Sequence, residues 1–443
     1  MSPRPAREPA DLLVHGAAEI ATPAGCAARS GRALGEIQVL RAAAVAVRDG
    51  RIAAVGPEAE LRARFEPERE LDARGGTVVP GFVDAHTHPV FDGTREDEFE
   101  LRTRGASYLE IAAAGGGILS SVRGLRAASE EQLLARLRVR LDRFLEHGTT
   151  TIEAKSGYGL TTADELKSLR VLAAAAARHP VEIAATFLGA HDVPAEHRDD
   201  PARYVDLVER EMLPAVASAG LAEACDVFVE AHTFGLEASR RILARAQQLG
   251  FTLRLHADQL SLLGGARLAA EFGARSADHL EFVDDAGAEA LAAAGVTAVL
   301  CPLVPLYLRQ EREAPARRLV ERGVPVALST DFNPGSCYLQ SLPQVLAWAA
   351  LRYRFTAAEA LTAATLNAAA SLGRAHRLGS IEAGKEADLV VLDVPNHLHL
   401  VYELGRNAVR AVVKGGRVVL EREPAAPILG ARGPGGSNGA GVR

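Results

Sequence analysis

The chain has 443 residues, of which 48% are hydrophobic and 24% are charged, and its formal net charge is −6. This composition is typical of a globular protein with a substantial core, and the mild negative charge without a basic run argues against a nucleic-acid partner. No stretch approaches the roughly 20 apolar residues of a membrane span, and the N-terminal residues lack the apolar centre of a signal peptide. The four cysteines lie far apart, which predicts reduced thiols in a cytoplasmic protein.

Short apolar strands occur near both ends of the chain. Residues 43–56 read as a strand, an Asp49-Gly50 turn and a second strand, which is a strong hairpin pattern. Residues 387–392 and 409–420 repeat this pattern of short apolar strands. The simplest interpretation is one small β-sandwich domain built from both ends, with a large domain inserted between them.

The central part of the chain alternates between apolar strands and Ala- and Leu-rich helical stretches, which is typical of βα units around a parallel sheet. The eight predicted strands are Gly81–His88, Thr149–Lys155, Glu182–His191, Asp226–Ala231, Thr252–Gln259, Ser276–Leu280, Val296–Pro302 and Pro325–Asp331. Eight such units predict an α/β fold of the (β/α)8 TIM-like barrel type. A doubly wound open sheet is the alternative, although no Gly-x-Gly-x-x-Gly turn opens a helix here.

This interpretation divides the chain into four segments. The predicted segments are residues 1–79 and 378–426 for the small β domain, 80–377 for the barrel, and 427–443 for a glycine-rich tail that we expect to be disordered.

Histidines and one aspartate stand at the carboxyl ends of several predicted strands, where barrel enzymes carry their chemistry. His86 and His88 end the first strand as His-x-His, a spacing that points both side chains the same way. The fifth, sixth and eighth strands contribute His256, His279 and Asp331. Any one of these residues alone could be structural, but the five together indicate a metal site. Three imidazoles and one carboxylate suit Zn²⁺ or Fe²⁺ and leave a position open for water.

This strand-end pattern resembles the amidohydrolase superfamily of metal-dependent hydrolases. Four longer segments are similar to its imidazolonepropionase family, namely Asp84–Phe91, Glu153–Gly159, Gly189–His191 and Thr330–Gly335. The resemblance implies metal ligands at His86, His88, His256 and Asp331. It implies substrate contacts at Arg95, Tyr158, His191, Gln259, Asn333, Gly335 and Ser336.

The resemblance also implies an activity. That activity is hydrolysis of 4-imidazolone-5-propanoate, a small molecule, to N-formimidoyl-L-glutamate in histidine degradation. One Zn²⁺ or Fe²⁺/Fe³⁺ ion per subunit and a homodimer are expected with it. Arg95 can receive the substrate carboxylate through parallel hydrogen bonds.

Gln259 departs from the His-x-x-Glu that hydrolytic deaminases of this superfamily carry on the fifth strand. An amide can hydrogen-bond a substrate but cannot titrate. We therefore predict a catalytic group of His279, Asp331 and Gln259, in which the first two move protons. The substitution argues against a deaminase.

The fourth strand contains no lysine, whereas superfamily members with two metal ions typically bridge them with a carboxylated lysine there. Glu230 could bridge in principle, but a capping or ion-pair role is the favoured interpretation, so one metal ion is predicted. Lys155 lies on the second strand, and His232 matches no motif and is expected to face solvent. Two alternatives stay open: another mononuclear amidohydrolase, such as a cyclic-amide hydrolase or deaminase, and a barrel without enzymatic activity.

Overall fold

The computed structural model describes residues 7–106, 110–111 and 115–423, so the predicted disordered tail lies outside the described residues. Seven strands precede the barrel: β1 (Glu8–His15), β2 (Glu19–Thr22), β3 (Gln38–Leu40), β4 (Ala43–Arg48), β5 (Arg51–Pro57), β6 (Phe65–Asp72) and β7 (Thr77–Pro80). Asp49 and Gly50 both have positive φ, 53° and 72°, as a tight Asp-Gly turn between antiparallel strands requires. The predicted N-terminal hairpin is confirmed.

The next eight strands form one parallel sheet in chain order. They are β8 (Phe82–Asp84), β9 (Thr149–Lys155), β10 (Glu182–Ala190), β11 (Ala224–Val229), β12 (Thr252–Ala257), β13 (Ser276–His279), β14 (Thr297–Leu300) and β15 (Val326–Leu328). Just beyond the two outer strands, Thr87 and Phe332 form a parallel bridge, and the His88 N–H donates to the Phe332 carbonyl at 2.9 Å. These contacts close the sheet, so the (β/α)8 barrel is confirmed and the open doubly wound sheet is wrong.

The first barrel strand is shorter than predicted. β8 ends at Asp84, so His86 and His88 lie in the segment after the strand rather than within it. Their backbone instead runs beside the segment after β15, which keeps both residues at the carboxyl end of the barrel.

Helices follow the strands, and Glu130–Glu146 shows how the sequence specifies one. Ser129 and Gln132 form a reciprocal capping box at its start. Its buried side chains recur at helical spacing and are Leu133, Leu137, Arg140, Leu141, Phe144 and Leu145. None of the helices in the described part of the chain is both long enough and apolar enough to cross a membrane.

The remaining helical elements are mostly short. The α-helices are Glu58–Arg64, Glu96–Thr103, Ile118–Ala127, Thr162–Ala176, Pro201–Leu207, Leu213–Ala219, Leu236–Gln248, Gly265–Glu271, Asp285–Ala294, Val304–Leu308, Ala316–Glu321, Leu342–Tyr353, Ala357–Ala363, Leu366–Ser371 and His399–Tyr402. Gly31–Gly35 and Ala195–His197 are 3₁₀-helices, and Val208–Met212 is a π-helical stretch.

The last three strands, β16 (Leu389–Leu392), β17 (Val409–Lys414) and β18 (Arg417–Glu421), return to the N-terminal strands. β16 pairs with β7, so the six-stranded sheet β18-β17-β16-β7-β2-β3 draws on both ends of the chain. The four-stranded sheet β5-β4-β1-β6 packs on it. The two sheets share an apolar core that includes Leu12, Val14, Val45, Val47, Leu389, Val391, Ala411 and Val413. The predicted sandwich is confirmed, whereas its exact boundaries stay a prediction.

Glu182, the first residue of β10, ties the barrel to the C-terminal segment. Its carboxylate accepts hydrogen bonds from Arg374 Nε at 2.7 Å and from Arg377, and it lies 3.5 Å from Lys414 Nζ. Burial would raise the pKa of Glu182, but the cations outweigh burial and lower that pKa to about 2. The ionised carboxylate therefore stabilises the folded chain.

We predict that Glu182→Gln lowers the free energy of unfolding by about 1.5–3 kcal/mol at pH 7, since hydrogen bonds to charged groups contribute amounts of this order. Because the folded-state pKa lies below the usual value, the stabilisation is present above about pH 4.5 and is lost as pH falls toward 2. Urea unfolding at pH 7 and at about pH 2.5, near the folded-state pKa, measures both effects. Glu130→Gln, which removes one exposed ion pair with Arg170, is the control and should change stability little.

Candidate active site

Three of the predicted ligands meet where the first and last barrel strands end. His86 and His88 follow β8, and Asp331 follows β15. Asp331 Oδ1 lies 3.3 Å from Nε2 of each histidine, and the two Nε2 atoms are 3.2 Å apart. All three side chains are buried. Such close approach of three lone-pair donors is what a metal ion would hold together.

His256 and His279 bring two further imidazoles to the same place. His256 lies in β12, and His279 is the last residue of β13. Their ring centroids are 4.5 Å and 5.0 Å from that of His86, and 5.1 Å from each other. The structure thus brings together all five residues that the sequence singled out.

The donor set fits a transition-metal ion. His86 Nδ1 is 2.6 Å from Asp278 Oδ2 and His256 Nδ1 is 3.1 Å from Asp226 Oδ1, which leaves the Nε2 atom of each ring for an ion. Asp331 Oδ1 is buried and has no hydrogen-bond partner among the described residues. Carboxylate partners behind ligand histidines are the usual way in which proteins fix ring orientation at a metal.

The electrostatics favour the metal-binding forms of Asp331 and His88. Burial would raise the pKa of Asp331, but the adjacent imidazoles of His86 and His88 hold that pKa well below the usual value. Burial also lowers the pKa of His88 well below its ordinary range. Burial and Lys155 lower the pKa of His86, but Asp278 and Asp331 outweigh them and raise it to about 9. An ion bound at His86 would replace a proton there.

Two members of the cluster have strained backbones. His279 has φ of 76° and Asp331 has φ of 51°, in the left-handed region that favours glycine. The Asp331 N–H donates to the His86 carbonyl at 3.1 Å, and the N–H of the residue after His279 donates to the Ala257 carbonyl at 3.1 Å. Strain held in place by neighbouring strands is typical of functional sites.

A cavity opens over the cluster. Its lining residues are His88, Arg95, Ile118, Tyr158, His191, Phe228, His256, Gln259, Leu260, His279, Leu308, Asp331, Asn333 and Ser336. Every predicted substrate contact except Gly335 is in this set, and Gly335 lies against Arg95. A Cβ on Gly335 would come within 2.1 Å of Arg95 Nη1.

Arg95 is held at the cavity by its own helix. Its Nε and Nη2 donate to Glu98 Oε2 at 2.9 Å and 2.7 Å, while the Gly117 N–H donates to Glu98 Oε1 at 3.1 Å. The glycine-rich segment around Gly117 therefore secures the carboxylate that orients Arg95.

The loop after β15 is shaped by its own side chains. Asn333 Oδ1 accepts from the N–H groups of Gly335 and Ser336 at 2.8 Å and 2.7 Å, and its Nδ2 donates to the Asp331 carbonyl at 2.7 Å. The Ser336 hydroxyl donates to Asp331 Oδ2 at 3.1 Å. Asn333 and Ser336 thus fix Asp331, and their substrate contacts stay a prediction.

Aromatic rings form one wall of the cavity. His191 stacks on His88 at 5.1 Å between ring centroids, and Tyr158 lies 5.3 Å from His191. Nδ1 of His191 donates to the Gly157 carbonyl at 2.9 Å, so its Nε2 is left to act as an acceptor toward the cavity. Burial lowers the pKa of His191 to about 4, which keeps this ring neutral near pH 7.

The sequence did not predict the carboxylates that orient the candidate ligands and Arg95. Asp226, Asp278 and Glu98 were not singled out, although Asp278 directly precedes His279 and could have been suspected for that reason. Glu230 has no bridging position: it accepts hydrogen bonds from the Leu260 N–H at 2.7 Å and the Ser261 hydroxyl at 2.6 Å. It thereby fixes the loop that carries Gln259. His232 is exposed and is absent from the cavity lining.

Comparison with known proteins identifies the family. The amidohydrolase family model matches residues 77–419, and a model of the bacterial imidazolonepropionase-like composite domain matches residues 43–65. An imidazolonepropionase of Symbiobacterium thermophilum is 50% identical over 93% of this chain and 98% of its own length. The chain belongs to the imidazolonepropionase family. An imidazolonepropionase of Geobacillus kaustophilus is 47% identical over 92% of this chain and 98% of its own.

Solved structures of amidohydrolases share the fold at low identity. An adenosine deaminase from Xanthomonas campestris with bound zinc gives a TM-score of 0.67 at 23% identity, covering 96% of each chain. A 5-methylcytosine deaminase from Klebsiella pneumoniae gives 0.70 at 18% identity, covering 94% of this chain and 98% of its own. The predicted family and enzyme class are confirmed, and a barrel without enzymatic activity is no longer favoured for this imidazolonepropionase-type chain.

Proposed function

We propose that this chain hydrolyses 4-imidazolone-5-propanoate to N-formimidoyl-L-glutamate. The observation that carries the proposal is that one cavity holds the His and Asp cluster together with Arg95 and the Tyr158–His191 wall. A ring-shaped substrate with a carboxylate arm needs both features. Relatives that carry the name imidazolonepropionase at 45–50% identity support the same conclusion.

The proposed metal ligands are His86, His88, His256 and Asp331, with one Zn²⁺ or iron ion per subunit. The identity of the ion is left between these two because the donor set suits both. When bound, such an ion supplies a Lewis acid and lowers the pKa of water toward 7.

Asp331 and His279 are the groups that would hold water and receive its proton. Asp331 Oδ2 is fixed by the Ser336 hydroxyl, and its other oxygen points into the cluster. His279 lies across the cluster on β13. Water adds to the ring carbonyl carbon, the bond from that carbon to the ring nitrogen breaks, and the proton taken from water passes to that nitrogen. Gln259 would hydrogen-bond the ring, because an amide cannot titrate.

Arg95, Tyr158 and His191 would orient the substrate. Arg95 lies at one end of the cavity and would receive the propanoate arm. His191 is neutral near pH 7 and would accept a hydrogen bond from a ring N–H through Nε2. Holding the ring and the arm at separate points fixes the carbonyl carbon relative to water.

The experiment that tests the function is a side-by-side assay of imidazolonepropionate, hydantoin and cytosine. We expect turnover of the first and not of the other two. Preferred hydrolysis of hydantoin would assign another cyclic-amide substrate, and release of ammonia from cytosine would assign a deaminase. Gln259 argues against the deaminase, because it lacks the proton-shuttling carboxylate.

We further propose a homodimer as the assembly and the cytoplasm as the location. The family resemblance supports the first, and the four scattered cysteines without a disulfide support the second. Light scattering of the purified protein tests the assembly.

We predict about one transition-metal ion per chain when the protein is purified without added metal. The reasons are the four-residue ligand set, the absence of lysine in β11 and the engagement of Glu230 with the loop after β12. Elemental analysis measures the stoichiometry. Two tightly held ions per chain would show that Glu230 or Lys155 has been misread.

We predict that Arg95→Ala lowers kcat/KM and leaves metal content intact. Loss of a buried charge-assisted pair costs about 2–5 kcal/mol. Gly335→Ala should produce a similar defect because its methyl group would displace the guanidinium. Arg104→Ala is the matched control, since that exposed arginine pairs with Glu100 in the same helix segment. Normal kinetics for Arg95→Ala would remove Arg95 from substrate binding.

We predict that His279→Ala keeps the metal ion but lowers kcat by about 10²–10⁴-fold, the usual contribution of a general acid or base. Turnover and bound metal are measured on the same preparation. His232→Ala changes an exposed histidine outside the cavity and should behave like the unaltered protein. A metal-free His279 variant would make this residue a ligand, and near-normal turnover would leave it a structural role.

A further inference from the structure

Lys155 is fully buried beneath the candidate metal ligands, and the proposed reaction uses it in no step. It is the last residue of β9, and its Nζ lies 2.7 Å from Asp226 Oδ2 and 2.7 Å from Glu153 Oε1. Nζ is also 3.7 Å from Asp278 Oδ2. A single ammonium group therefore contacts three buried carboxylates from three different strands.

Two of these carboxylates are the ones that orient ligand histidines. Asp226 pairs with His256, and Asp278 pairs with His86, at 3.1 Å and 2.6 Å. The Lys155 backbone N–H donates to the Thr87 carbonyl at 2.9 Å, between His86 and His88. Lys155 is thus linked to His256 through Asp226, to His86 through Asp278, and to the segment between His86 and His88 through its backbone. None of the described contacts joins its ammonium group to a side chain of the proposed ligands.

Because Asp226 and Asp278 are both buried, their contacts with Lys155 matter for the orientation of the histidines. A buried carboxylate without a partner is strongly destabilised, so Asp226 and Asp278 need cations or donors to stay ionised and fixed. Arg254 is the other cation nearby, but its hydrogen bonds go to the carbonyls of Ala85 and Ser371, and its Nη2 is 3.6 Å from Asp278. Lys155 is the cation in direct ion-pair contact with Asp226.

We propose that Lys155 is a positioning residue that aligns His86 and His256 for the metal ion through Asp278 and Asp226. The inference rests on the proposed metal-dependent function. If Lys155 positions the ligands, its removal should change metal affinity in the direction opposite to that of a purely electrostatic role, because an ammonium group by itself repels a metal cation. Loss of repulsion would tighten metal binding, whereas loss of alignment weakens it.

The test measures metal retention rather than turnover. The full-length protein is loaded with Co²⁺ or Zn²⁺, and release to a chelator is followed for the unaltered chain and for Lys155→Met. We expect retention to weaken by about 10–100-fold, the usual effect of losing a partner behind a metal ligand. The visible spectrum of the Co²⁺ form should also change, because the ligand geometry is altered.

Lys385→Met is the matched control. Lys385 is also buried, and its Nζ donates to the carbonyls of Gly25 and Ala375 at 2.6 Å and 2.7 Å, away from the ligand cluster. The same substitution there removes a buried ammonium and its hydrogen bonds without touching a carboxylate of the site. Metal retention and the Co²⁺ spectrum should match those of the unaltered chain even if stability falls.

Coupling to Asp226 separates positioning from a general loss of stability. Lys155→Met and Asp226→Asn are combined, which removes one charge of each sign and keeps the interior balanced if the single lysine variant does not fold. We expect Lys155→Met to weaken retention less in the Asp226→Asn background than in the unaltered chain. If the single variant is unfolded, the double variant should release metal little faster than Asp226→Asn alone.

Several outcomes would overturn the inference. Unchanged or tighter retention in Lys155→Met would do so, as would effects of the two substitutions that simply add, or a double variant that releases metal far faster than Asp226→Asn. An unaltered chain that holds metal but does not hydrolyse imidazolonepropionate would overturn only the proposed reaction. An unaltered chain that cannot retain either ion would overturn both.

Discussion

The contact between the segments that follow β8 and β15 is the constraint on which the site depends. Asp84 accepts hydrogen bonds from the Ser329 hydroxyl and from the hydroxyl and N–H of Thr330, at 2.6 Å and 3.1 Å for the latter two. Above it, the Thr87–Phe332 bridge continues the pairing. Because this seam fixes the register of the first and last strands, the three candidate ligands His86, His88 and Asp331 meet with ligand atoms 3.2–3.3 Å apart. A shift of one residue would turn their side chains to opposite faces.

A balance of buried charges accompanies this geometry. Lys155 and Arg254 are buried cations in the layer around the candidate ligands, and they lie against the carboxylates of Glu153, Asp226 and Asp278. The same layer therefore orients the rings of His86 and His256 through Asp278 and Asp226.

Residues at strand ends could be predicted from the sequence, and their partners could not. The bounds of Thr149–Lys155 agree with the structure because that strand is a continuous buried run. His86 and His88 were placed within a strand, but β8 ends at Asp84 because the pairing partner there is an irregular segment rather than β15 itself. Asp226 and Asp278 act on histidines of neighbouring strands, and such pairings depend on lateral register, which no local pattern encodes.

The contacts on the substrate side of the cavity were even harder to predict from the sequence. The sequence pointed to Arg95, yet the role of Glu98 depends on a contact with Gly117 nineteen positions away. Glu230 looked like a possible metal bridge because it is an acidic residue next to a strand end. Its actual partners, the backbone and hydroxyl groups after Gln259, belong to the next βα unit. Loop geometry of this kind is set by tertiary packing, so the sequence indicated the residue without indicating its role.

The six-stranded sheet has a consequence for how the chain is made. Its strand β7 is synthesised before the whole barrel, whereas β16, the strand that pairs with it, emerges more than 300 residues later. Until then one edge of β7 is open, and open strand edges are prone to pairing with other chains. The whole barrel sequence is therefore synthesised before the six-stranded sheet can be completed, and β16 covers this edge only when it pairs with β7. A chain whose translation is slow or interrupted near the end of the message would therefore expose the unpaired edge of β7, which favours chaperone binding or aggregation.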